Sequence, residues 1–158
     1  MVAASEMELA ILKCSKLIAL HSITKSPERK PNTSERYKKF ASKGEYNNWI
    51  DDSYILMGQA SYYNQDYHRA NENFNYVIRK FTDSPNRYVA YLWMAKTYIE
   101  TGENDKALEI FKLLERDGGF PKSAKKDLNI AQAHYYMKNN QLDDAISHLK
   151  TALQSHFP

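Results

Sequence analysis

The chain has 158 residues, 42% hydrophobic and 26% charged, with a net charge of +3 and a mean hydropathy of -0.69. That length suits one domain or one piece of a repeat array. No apolar run is long enough to span a membrane as a helix. The single cysteine excludes an internal disulfide and any multi-cysteine zinc or iron–sulfur centre.

In chain order, Glu6–Ser22 reads first as an amphipathic helix, with Ala10, Cys14 and Leu17 at steps of four and three. Glu6 and Glu8 stand where a signal peptide would be basic, and Lys13 before Cys14 spoils a lipoprotein cleavage site. A polar insert follows over residues 24–47, in which Ser34–Ser42 has the makings of a short helix. Its stretch from Lys25 to Glu45 holds seven basic and three acidic residues, so the charge excess of the chain is local. It reads as a solvated loop, not as the basic stripe of a nucleic-acid binder, and nucleic acid is not expected as a partner.

An internal repeat occupies residues 48–156. Ala70-x3-Phe74-x2-Val77 recurs as Ala107-x3-Phe111-x2-Leu114 and as Ala145-x3-Leu149-x2-Ala152, at steps of 37 and 38 residues. Twelve residues before each of these alanines stands another small residue: Gly58, Ala95 and Ala133. Polar turns separate the halves of each unit: Asn64-Gln65-Asp66, Thr101-Gly102-Glu103-Asn104 and Asn139-Asn140-Gln141. Each unit is therefore predicted to be two antiparallel helices that cross at the small residues, with units over about 48–83, 86–119 and 121–156. Ser61, Asn129 and Gln132 depart from the apolar pattern and are expected to weaken it locally.

These residues resemble the tetratricopeptide repeat. The resemblance implies an all-α fold, a right-handed tetratricopeptide-type α-α superhelix of about seven helices, and a non-catalytic role in binding other proteins. Helix Glu6–Ser22 then reads as the second helix of a preceding repeat in residues 1–23, with Leu9, Ile11, Leu12 and Leu17 forming an exposed apolar strip. The resemblance also implies a concave groove lined by positions three before, one after and four after each small crossing residue. Those are Ile55, Gln59 and Tyr62; Leu92, Lys96 and Ile99; and Ile130, His134 and Met137. Such a lining suits an extended peptide or a partner helix. Only Lys96 suits an anion, so a clamp for a C-terminal carboxylate is not expected.

Nothing in the sequence points to catalysis, a cofactor or a metal. There is no phosphate-binding loop, nucleophile elbow or H-E-x-x-H, and the five histidines fall at unrelated places. Cys14 takes a core position as a small hydrophobe. Asp51-Asp52 and Asp143-Asp144 sit at helix starts, where carboxylates favour the positive end of the helix dipole. The twelve tyrosines mostly lie in the repeat helices, each burying a ring while its hydroxyl reaches a polar group.

A closer resemblance is carried by Ala10–Ile18 (AILKCSKLI), Gly44–Tyr54 (GEYNNWIDDSY), Leu56-Met57-Gly58, Asp66-Tyr67, Tyr76-Val77-Ile78 and Arg87-Tyr88. In that order they resemble the repeat region of the large tetratricopeptide lipoprotein of Bacteroidetes type IX secretion and gliding motility, the PorW/SprE family. That implies a longer protein in the periplasm at the outer membrane, held there by a lipid anchor outside this stretch and linking secretion components. The competing expectation is a stand-alone cytoplasmic adaptor with the same groove.

Overall fold

The computed structural model describes residues 2–20 and 49–154, with side chains from Glu6 onward. The expected insert at 24–47 lies outside the described residues. Seven α-helices are described: α1 (Val2–Leu20), α2 (Ile50–Tyr63), α3 (Tyr67–Lys80), α4 (Asn86–Glu100), α5 (Asn104–Arg116), α6 (Lys125–Lys138) and α7 (Leu142–Gln154). A 3₁₀ turn over Lys122–Ala124 leads into α6. The pairs α2/α3, α4/α5 and α6/α7 are three successive helical hairpins, and α1 packs on α2.

Small residues set the crossings. A β-carbon added at Gly58 would stand 2.4 Å from Cε1 of Phe74, so only glycine lets this phenylalanine lie flat on α2. Ala95 and Ala107, both 0% exposed, serve the second hairpin. Around them the core divides by unit. One cluster joins Ile55, Ala70, Phe74, Val77 and Ala90, and the next joins Leu92, Ala95, Ile99, Ala107, Ile110, Phe111, Leu114 and Leu128. Each unit's aromatic residue also touches the next unit's first helix: Phe74 lies 6.3 Å from Trp93 and Phe111 6.3 Å from Tyr135, centroid to centroid.

The three hairpin turns share one geometry. Gln65, Gly102 and Asn140, spaced at the repeat step, have φ of 62°, 77° and 58°. The following residue donates its N–H five residues back in every case: Asp66 to Ser61, Glu103 to Tyr98 and Gln141 to Tyr136. A left-handed residue just past a helix end closes it in this way, and glycine or asparagine tolerates it best. Gln65 is the one of the three for which sequence gives no such signal.

The links between units are pinned from the first helix of each. Asp51, 8% exposed, accepts from Ser84 Oγ at 2.5 Å, in the linker that follows its unit, and from Asn86 Nδ2 at 3.0 Å, at the start of α4. One repeat step later, Tyr88 donates its hydroxyl to Asp117 Oδ2 at 3.1 Å and sets its ring edge-on to Phe120. Asp51 thus does more than complement a helix dipole. The polar departures in the third unit are also partnered. Gln132 donates to Glu115 Oε1 at 2.7 Å, and Asn129 Oδ1 lies 3.0 Å from His148 Nδ1. Ser61 is fully buried, with a hydroxyl that finds no partner among the described residues.

The N-terminal helix meets its expectation in part. Leu9 and Leu12 are 49% and 65% exposed, but Ile11 is only 8% exposed. Ile11 shares a face with Met7, Cys14 and Ile18, and that face packs on Met57 and Ala60 of α2. Cys14 is half-buried in this contact, which raises the pKa of its thiol.

Candidate protein-binding face

First helices of adjacent units, α2 with α4 and α4 with α6, pack along one another. The second helices make no comparable contact, so the stack curves with α2, α4 and α6 on its inner side. On the outer side the space between α3 and α5 is an open cleft of about 730 Å³, floored by Ile78, Tyr91 and Leu113 and edged by Arg87, Lys112 and Arg116. Arg87 there is held by Asp117 at 3.4 Å.

The inner side carries an ionic and aromatic cluster drawn from all three first helices. Glu100 of α4 is its centre. Oε1 accepts from His134 Nε2 of α6 at 3.0 Å and from the hydroxyl of Tyr62 of α2 at 3.5 Å. Oε2 accepts from Lys138 Nζ at 2.9 Å. Trp93 stands beside it, with Tyr62 and Tyr63 edge-on at 5.4 and 5.8 Å and the Lys96 ammonium 4.3 Å above its ring. An ammonium over an indole face is an attractive arrangement.

Burial and charge set the protonation of this cluster. Burial disfavours the ionised form of Glu100. The hydrogen bond and charge of Lys138, with the charge of His134, outweigh that and hold the carboxyl below its usual range. Burial also lowers the pKa of His134, against the pull of Glu100. At neutral pH the imidazole is therefore uncharged and donates its Nε2 proton to Glu100. Tyr62 is pushed up to about 12 by burial and by the negative charge of Glu100, so it remains a donor. Burial lowers the pKa of Lys96, opposed by Asp127.

Of the nine residues expected to line the groove, Ile55, Leu92 and Ile99 are 6%, 5% and 4% exposed and belong to the core. Gln59, Tyr62, Lys96 and His134 are partly exposed, and Ile130 and Met137 are exposed at 37% and 53%. The open stripe of the inner side is rotated from the expected one. At about 100° per residue, positions two before, one after and five after the crossing lie on one face, about 65° around from the stripe read off the sequence. That face supplies Trp93, Lys96 and Glu100 on α4, with Tyr63 on α2 and His134 and Lys138 on α6. Trp93, Tyr63, Glu100 and Lys138 lie outside the expected lining. The last pair left a signal: opposite charges one repeat step apart face each other when first helices lie side by side.

Antiparallel helix pairs stacked in register define an α-helical repeat solenoid. Within that class the fold is that of a tetratricopeptide-type α-solenoid, and the tetratricopeptide repeat family model matches residues 55–123. Such repeats generally serve as protein-interaction scaffolds. No curated protein and no solved structure gives a significant match. Among the described residues there is no cluster of three or more metal-ligating side chains, and no helix is long and apolar enough to cross a membrane.

Proposed function

We propose that this chain is a non-catalytic scaffold whose inner face grips a peptide or helix of a partner protein, and that it is a stretch of a larger cell-envelope repeat lipoprotein linking type IX secretion and gliding components. The observation that carries the binding site is the Trp93–Tyr62–Tyr63 cluster beside the Glu100–His134–Lys138 network. Tyr63 is 64% and Met137 53% exposed, and Trp and Tyr of this kind are enriched among binding hot spots. The partner's polar groups would meet Lys138 and Lys96, and its apolar side chains the aromatic group. Support for the envelope reading comes from the motifs around Ala10–Ile18 and Gly44–Tyr54 together with the repeat itself.

Affinity capture from a Bacteroidetes envelope extract tests both parts, with Trp93→Ala and Lys138→Glu as controls. Secretion-motor or outer-membrane translocon proteins should be enriched by the wild-type chain, and each variant should lose at least tenfold of that enrichment. Recovery of cytoplasmic proteins alone would overturn the envelope reading in favour of a cytoplasmic adaptor. Undiminished capture by folded variants would overturn the assigned face. Leu92→Glu is unsuited to this purpose, since it places a carboxylate in the core.

A further inference from the structure

The last helix, α7, carries a continuous apolar seam that no described residue covers. Leu142, Ile146, Leu149 and Leu153 are 61%, 49%, 39% and 65% exposed. Their spacing of four, three and four is that of the core positions of a coiled coil. One flank of the seam, Ala145 and Ala152, is 2% and 3% exposed in the hairpin with α6. The other flank holds Asp143 and Lys150, both exposed. The exposed leucines of α1 form no such seam, because Lys16 interrupts the run between Leu12 and Leu20.

We propose that two copies of this chain associate through α7, the two helices lying antiparallel about a twofold axis. Antiparallel pairing sets Leu142 against the partner's Leu153 and Ile146 against the partner's Leu149. The arrangement also brings like flanks together. Asp143 then meets the partner's Lys150, and Lys150 meets the partner's Asp143, so both charge pairs are complementary. A parallel pairing would set these charges against the alanine flank, where they gain nothing. The contact covers about 16 Å of helix, small beside a standard interface, so the dimer is weak, with a dissociation constant on the order of 10–100 µM. This inference does not depend on the inner face.

Sedimentation velocity of the purified chain from about 5 µM to 1 mM is the test. The wild type should shift from monomer to dimer across that range. Ile146→Glu with Leu153→Glu, both at exposed positions, should stay monomeric at every concentration with an unchanged helical circular-dichroism spectrum. Asp143→Lys and Lys150→Asp alone should each weaken dimerisation about tenfold, and an equimolar mixture of the two should recover it as a heterodimer. A mixture no better than either variant alone would overturn the antiparallel pairing. A wild type monomeric at 1 mM, or a dimer indifferent to the glutamates, would overturn the proposal and leave the seam to a following repeat of the longer protein proposed above or to a helix of another protein.

Discussion

The middle and last units are built on the same register, yet the same position meets different surroundings in each. Phe111 of the middle unit is 3% exposed, shut in by its own hairpin and by Tyr135 of the next unit. Leu149, one repeat step later, is 39% exposed. The second helix of a unit is amphipathic on two sides, and a neighbour is needed to satisfy the second. In a stack of this kind stability is close to a sum of hairpins and neighbour contacts. An interior unit draws on two neighbours, and the last described unit on one.

The largest test of that difference compares truncations at equivalent positions. Phe111→Ala should cost about 3–5 kcal/mol, the usual penalty for emptying a core aromatic site, whereas Leu149→Ala should cost about 1 kcal/mol, since its methyls already meet water. Urea denaturation would measure both. Equal costs would mean that the last unit is as well enclosed as the middle one. Next in size is Gly58→Ala. The added methyl collides with the Phe74 ring, and overpacking of this sort costs about 1–3 kcal/mol. Phe74→Leu in the same chain should recover part of that loss, and no recovery would place the strain elsewhere.

The smallest effect concerns the joint between the two units, where Glu100 of α4 holds His134 and Lys138 of α6. His134 titrates below its ordinary 6.5 when folded, so the unfolded chain takes up a proton first as the pH falls. The contribution is complete above about 6.5 and is lost as the pH drops through the folded value. Glu100, held below its ordinary 4.5, adds a second loss at more acid pH by the same sign. Amide exchange in α6 and α7 should therefore quicken relative to α4 on going from pH 7.5 to pH 5.5. In His134→Gln that first change should be absent. Exchange that rises equally in all units would show that the joint does not govern the end.

The hairpin architecture was legible because it rests on coarse signals. A small residue every repeat step, an aromatic four residues past an alanine and a polar turn between them leave few alternatives to stacked hairpins. The open inner face was less legible. Apolar residues at Ile55, Leu92 and Ile99 looked like a lining, but α2 and α4 are each covered by their own partner and by neighbours on both sides, so only a narrow stripe remains open. A rotation of about 65° decides which residues occupy it, and apolar character alone does not fix that angle. The opposite charges of Glu100 and Lys138 do fix it. Asp51 was read as a helix-end charge for a similar reason: its partners Ser84 and Asn86 lie 33 and 35 residues away, beyond any local pattern.

The three left-handed turns carry a consequence for how such a chain can vary. Gln65, Gly102 and Asn140 close their hairpins with the same hydrogen bonds, so the tips are interchangeable parts of fixed size. The variation lies instead between hairpins: Asp117-Gly118-Gly119 helps make the second link three residues longer than the first, while α5 and α6 are each one residue shorter than α3 and α4, which leaves the repeat steps one residue apart. Length in this protein is negotiable at the joints and not at the tips. A graft, tag or extra unit spliced after Lys80 or Arg116 meets chain that already tolerates variation, and the same insertion at a tip would have to break a closure used three times.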